Sequence, residues 1–156
     1  MMSFRAEPIG SQVANQVRAS RRDPFGGKAE MLLASDPRFP CRHCLEETPI
    51  DSEVLLISYQ PLARKTPYAA RGPIFICAAD CDAFKGIDAV PEIVASRTVN
   101  LRAYDASGRM LYAHSQLSSG SEAEKHIASM LSDDRVAEVH AHTALHGCFL
   151  CKFVRN

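Results

Sequence analysis

Six cysteines fall in three close pairs along this chain of 156 residues: Cys41 with Cys44, Cys77 with Cys81, and Cys148 with Cys151. No other feature constrains the fold as much, because thiols spaced this closely either pair oxidatively or share an ion. The N-terminal run Met1-Met2-Ser3-Phe4-Arg5 leads into Glu7, Pro8 and Gly10 without the apolar stretch of a secretory signal. The expectation is therefore a cytoplasmic protein with reduced thiols, in which clustered cysteines serve metal or redox chemistry ahead of disulfides.

The length suits one domain with a core of its own, spanning residues 1–156, with residues 1–39 a more variable, helical N-terminal part. A composition of 46% hydrophobic and 23% charged residues is that of an ordinary globular chain, and no apolar run approaches a membrane span. Eighteen basic side chains balance eighteen acidic ones, so there is no overall field to recruit nucleic acid or an anionic membrane. The basic cluster Arg18, Arg21, Arg22 and Lys28 has only Phe25 as an aromatic neighbour and reads as a solvated helix end. Gly26-Gly27-Lys28 is too short for a phosphate loop and reads as a turn.

The pattern predicts a short strand within 3–9 and a helix N-capped by Ser11 with Val13, Ala14 and Val17 as its stripe. Asp23-Pro24-Phe25-Gly26-Gly27 breaks that helix, and Ala29, Leu32 and Leu33 suggest a second one over 28–34. Beyond Pro40 the signals turn strand-like. Val54 to Tyr59 is a continuous apolar run covered on both faces, Ile74-Phe75-Ile76 is shorter, and Thr98 to Tyr104 alternates. Asp105 to Gly108 turns the last of these back into 110–117. Ser121 and Glu124 have capping-box spacing, ahead of a helix burying Ala123, Ile127, Met130 and Leu131. Residues 136–142 and 148–155 form a final hairpin. The fold class is thus α+β, a largely antiparallel sheet with a few helices packed on it.

The spacings C-x2-C and C-x3-C of the first two pairs are those of tetrahedral zinc knuckles. Residues three apart on a strand point to opposite faces, so Cys41 and Cys44 converge only if Pro40 to Cys44 folds into a turn. Cys77 and Cys81 would meet on one turn of helix. Cys41, Cys44, Cys77 and Cys81 are accordingly the candidate metal ligands, with zinc the metal this donor set suits. The alternative is that some of them are small buried hydrophobes.

In the last pair, Cys148 and Cys151 point to opposite faces of an extended strand and are not co-ligands. If a five-residue loop over 143–147 closes the hairpin, His142 lies opposite Cys148, Glu138 opposite Lys152 and Val139 opposite Cys151. His140, His142 and Cys148 then share one face, with His146 above it and His114 able to join. This trio is the candidate catalytic set, since an imidazole beside a thiol can act as base or activate a nucleophile. The competing account is a solvated polar face and a structural thiol at a strand start. The edge at 148–155 would allow a homodimer without requiring one. Pro67-Tyr68 and Gly72-Pro73 mark a rigid loop that could rim a pocket, although such loops more often set chain direction.

Pro40-Cys41-Arg42-His43-Cys44-Leu45, Gly72-Pro73-Ile74-Phe75, Leu101-Arg102-Ala103-Tyr104-Asp105 and the ending from His140 and His142 through Gly147-Cys148 to Arg155 resemble a bacterial family known as domain of unknown function 1203. The resemblance covers most of the chain and is weakest before Pro40. It implies a small bacterial cytosolic protein and brings no activity. It also implies that histidine often stands where this chain has Cys77, an exchange between zinc-ligand types, and that asparagine is common where it has Thr143.

Three functions fit these residues, and whether the chain is an enzyme stays open. The first is a zinc-stabilised binding or regulatory module. The second is an enzyme using the His140, His142 and Cys148 face, with Arg102, Tyr104 or Tyr68 holding an anionic or polar substrate. The third is a thiol redox protein using Cys41 and Cys44, although the β-α-β context of such motifs is missing. None names a partner or ligand.

Overall fold

A computed structural model describes all 156 residues. Eight strands form two antiparallel sheets, and their order follows from which faces are apolar. Strands β1 (Phe4–Glu7), β5 (Val99–Tyr104), β6 (Gln116–Ser118), β7 (Glu138–Thr143) and β8 (Phe149–Arg155) make a five-stranded sheet in the order β1-β8-β7-β5-β6. Strands β2 (Glu30–Leu33), β3 (Glu53–Tyr59) and β4 (Gly72–Cys77) make the second, in chain order. The helices are α1 (Ser11–Ser20), α2 (Glu92–Ala95) and α3 (Ala123–Leu131).

The alternation of β5 puts Val99, Leu101 and Ala103 on one face, and Val139 and Ala141 of β7 and Cys151 and Phe153 of β8 join them. Ile93 and Val94 of α2 and Ile127, Ala128, Met130 and Leu131 of α3 close this core. Phe4 meets Phe153 edge-on, with ring centroids 5.7 Å apart. A second core gathers Ala14 and Val17 of α1, Leu55 and Ile57 of β3, Ile74 and Ile76 of β4, Cys41 and Phe149. Phe149, from the first sheet, therefore packs against the second. The sheet face opposite α3 is covered, not solvated, and His140 and His142 are buried on it.

Several expectations are corrected. Residues 28–34 hold strand β2, not a helix. Asp23 Oδ1 accepts from the Phe25 and Gly27 amides, the resulting turn reverses the chain, and residues 30–33 pair with Leu56 to Glu53. Cross-strand pairing overrides the helical spacing, and Met31, Leu32 and Leu33 stay exposed on the edge strand. The first 39 residues thus hold one helix and two strands, and β1 completes the larger sheet against β8. Strand β8 lies between β1 and β7, so it offers no free edge for a second copy.

Gly10, not Ser11, occupies the cap position of α1, and the Ser11 hydroxyl goes to His43 instead. The Ser121–Glu124 capping box does not form, because a 3-10 turn over Gly120–Glu122 precedes α3 and Ser121 bonds Ser119. The turn after β5 is present, with Asp105 Oδ1 accepting from the Ser107 and Arg109 amides, but the return passes through a 3-10 turn at Tyr112–His114 before β6 pairs.

Candidate metal centre

Pro40 to Leu45 folds into the turn that the first cysteine pair requires. The Leu45 amide donates to the Cys41 carbonyl (2.9 Å) and the Cys41 amide to the Glu46 carbonyl (2.9 Å), while Leu45 takes a left-handed φ of 59°. This knuckle docks on β4, where the Arg42 amide donates to the Phe75 carbonyl (3.0 Å). Cys77 ends β4 opposite Val54, and the Ala78 amide carries the pairing on to the Glu53 carbonyl. The expected helical turn over 77–81 is absent, since the ladder holds the chain extended through Cys77 and an irregular loop returns it to Cys81.

The four Sγ atoms of Cys41, Cys44, Cys77 and Cys81 nevertheless converge, all lying within 4.8 Å of one another. Cys41 Sγ and Cys81 Sγ are 3.9 Å apart. A tetrahedral ion with Zn–S bonds of about 2.3 Å would place its sulfurs about 3.8 Å apart, so the donor set and its spacing fit such an ion. Cys41 is buried and the other three are half-buried.

The surroundings supply donors to these sulfurs. The Cys77 amide donates to Cys41 Sγ (3.2 Å), Arg18 Nη2 to Cys81 Sγ (3.1 Å), and His43 Nδ1 lies 3.2 Å from Cys81 Sγ. His43 Nε2 sits 2.9 Å from the Ser11 hydroxyl, so an Nδ1 proton aimed at sulfur leaves Nε2 to accept from serine. Hydrogen bonds from Cys44 and then Cys77 pull the Cys41 thiol well below its usual range. The same contacts push Cys44 up and Cys77 up to about 12, and burial raises Cys81.

Arg18 and His43 touch the cluster and were not among the residues expected there. Arg18 belonged to a cluster read as solvated, yet its side chain is only 7% exposed and its Nε also donates to the Cys77 carbonyl. Arg18 follows Ala14 by one helical turn, so its spacing places it beside the buried stripe, but the cysteines it meets come from residues 77–81 and no local pattern names them.

The histidine face differs from expectation in register. Ala141, not Val139, stands opposite Cys151, His140 stands opposite Lys152, and a bulge at Leu150 puts Phe149 opposite His142. The loop closes more tightly than assumed, since the Thr143 amide donates to the Cys148 carbonyl and the Cys148 amide to Thr143 Oγ1 (3.0 Å). Phe149 thereby moves onto the histidine face, edge-on to both imidazoles with centroids 5.4 and 5.7 Å away. His140 Nε2 meets Glu138 at 2.9 Å, and His142 Nδ1 donates to the Gly147 carbonyl at 2.9 Å. Cys148 Sγ finds only the His146 carbonyl, at 4.0 Å, so the structure does not bring it to an imidazole. Cys151 is buried in the helix-side core, which pushes its thiol up. His114 pairs with Asp133 away from this face, and His126 bonds Ser118.

The family model described as Protein of unknown function (DUF1203) matches residues 38–155. The chain belongs to that family. Its matched segment contains all four clustered cysteines, His140, His142 and Cys148, whereas Ser11 and Arg18 lie before it. No curated protein and no solved structure matches the chain. Membership in DUF1203 therefore assigns no activity to these residues. No helix of the fold is long and apolar enough to cross a membrane.

Proposed function

We propose that the protein is a zinc-stabilised binding or regulatory module, in which Cys41, Cys44, Cys77 and Cys81 hold one Zn2+. The convergence of four thiols within 4.8 Å carries this reading. Four sulfur ligands leave no open coordination position, so the ion's role is structural. It ties the knuckle to the end of β4 and the loop after it, segments otherwise joined by a few main-chain bonds. Arg18 and His43 offset part of the negative charge of a four-thiolate site. Loading displaces the protons held on Cys44, Cys77 and Cys81, so affinity rises with pH.

Mass spectrometric metal analysis of protein purified without chelators or an affinity metal tests this directly, together with thiol counting. The expected result is one zinc per chain, with the four clustered thiols unreactive until unfolding and Cys148 reactive in the native state. Chelation should then unfold the protein or lower its melting temperature. Metal-free protein whose clustered thiols react without unfolding would refute the reading. A second reading, redox exchange between Cys41 and Cys44, draws on the depressed Cys41 thiol. It predicts a reversible disulfide in the same thiol count, and full burial of Cys41 weighs against it.

A further inference from the structure

Beside the loop between β7 and β8 lies a cavity of about 270 Å3 that none of the four clustered cysteines lines. Its apolar walls come from both sheets: Tyr59 and Ile74 on one side, Phe149 on the other. None of its lining residues is acidic, and two, Arg71 and Arg102, are arginines. Neither guanidinium forms an ion pair with a carboxylate. Arg71 lies over the Phe25 ring, 3.7 Å from its centroid, while Arg102 on β5 has no carboxylate partner and only the Tyr104 hydroxyl of its own strand beside it. In a chain with no net charge, this is a locally positive, partly apolar hollow.

His142 lines the same cavity and is 6% exposed. Its Nδ1 faces the Gly147 carbonyl, which can only accept, so Nδ1 carries the proton and Nε2 keeps a lone pair. That Nε2 is buried and has no hydrogen-bond partner. Burial, followed by the charge of Arg102, lowers this imidazole to about 3, so Nε2 is an acceptor throughout the neutral range. An orphaned buried acceptor is costly, and a ligand that donates to it recovers that cost.

We infer that this cavity binds a small hydroxylated oxyanion, its carboxylate or phosphoryl oxygens on Arg102 and its hydroxyl donating to Nε2 of His142. Each half of that ligand answers one group, a guanidinium without a carboxylate and a buried imidazole nitrogen without a donor. The volume suits a metabolite of a few carbons.

Titration calorimetry on the full chain tests the assignment with malate, succinate, glycerol 3-phosphate and glycerol as probes. Succinate is malate without its hydroxyl, so the pair isolates Nε2. Malate is expected to bind about tenfold more tightly than succinate, the loss that one missing hydrogen bond brings. Arg102→Gln should weaken every anion at least about tenfold. His142→Asn keeps a donor for the Gly147 carbonyl but has no atom at Nε2, and should make malate and succinate equal. Saturation by glycerol 3-phosphate alone would identify the anion as phosphoryl, and by malate alone as carboxylate. Saturation by neither up to about 10 mM, or equal binding of malate and succinate by the unaltered protein, would overturn the inference. Circular dichroism and metal content unchanged in both variants separate loss of the site from loss of the fold.

Discussion

Acidification from pH 8 to pH 5 should cost this protein about 2 kcal/mol through His142 alone. The ring is held neutral by burial first and by Arg102 next, with His140 and Arg42 adding to the repulsion and the Gly147 carbonyl opposing it. Its titration falls from 6.5 in an open chain to about 3 in the fold. The unfolded chain takes up the proton as pH drops below 6.5, whereas the folded chain does not until about 3. Stability from this group is therefore complete above 6.5 and declines steadily as pH falls towards 3. One pH unit of separation is worth about 1.4 kcal/mol, which gives about 2 kcal/mol by pH 5. For a chain of this size that is about 4–8 °C in melting temperature. Urea unfolding of the native protein and His142→Asn at both pH values measures it, because every other titrating group is common to the two and drops out of the difference. Imidazole NMR gives a direct check, with His142 resonances flat between pH 8 and 5. A midpoint near 6.5, or the same pH dependence in both proteins, would refute the reasoning.

Packing makes two further predictions. A Cβ on Gly120 would lie 2.1 Å from the Ala95 carbonyl oxygen, backbone that cannot swing away, so Gly120→Ala should cost about 1–3 kcal/mol in urea unfolding. Phe153 is fully buried against Phe4 in the helix-side core, so Phe153→Ala should cost about 3–5 kcal/mol, while exposed Leu145→Ala stays within about 0.5 kcal/mol.

What could be read from the sequence was whatever depends on near neighbours. Strands β3, β4 and β5 and helix α3 were legible because each carries an apolar pattern that tertiary contacts reinforce. The cysteine cluster was legible for a related reason: each pair is close enough in sequence for one turn or loop to gather it. Strand β2 was not, because its conformation comes from pairing with β3 and its leucines are not buried. The bulge at Leu150 also escaped. One extra residue sends Phe149 to the opposite face, and only the second sheet packed there makes that favourable. The division into two sheets, the burial of both histidines and the cavity beside His142 all follow from that seam. Gly72 and Pro73, whose loop could rim a pocket or merely set chain direction, lie on the cavity wall for the same reason.

One side chain joins the thiol cluster to that seam. Arg42 sits inside the knuckle, 3% exposed, and bridges the Phe149 carbonyl of β8 with Nε and the Pro40 carbonyl with Nη1, both at 2.7 Å. Its own carbonyl accepts from the Ile9 amide and its amide donates to Phe75, so main chain from both sheets meets on one residue. The guanidinium has no carboxylate partner, and burial lowers it only to about 10, so it remains charged and bound to oxygens. Lysine at this position would keep the charge but lacks the planar fork, leaving one of the two carbonyls without a donor. Arg42→Lys should therefore cost about 1.5–3 kcal/mol, the range for a hydrogen bond to a charged group. It should also shift the amide resonances of Gly147 and Cys148, across the seam from the cysteines. A cost below about 0.5 kcal/mol with those resonances unmoved would mean that the knuckle and the cavity wall are held independently. With that coupling, an ion held by the four cysteines would bear on the cavity, because Phe149, whose carbonyl Arg42 holds, also forms its wall.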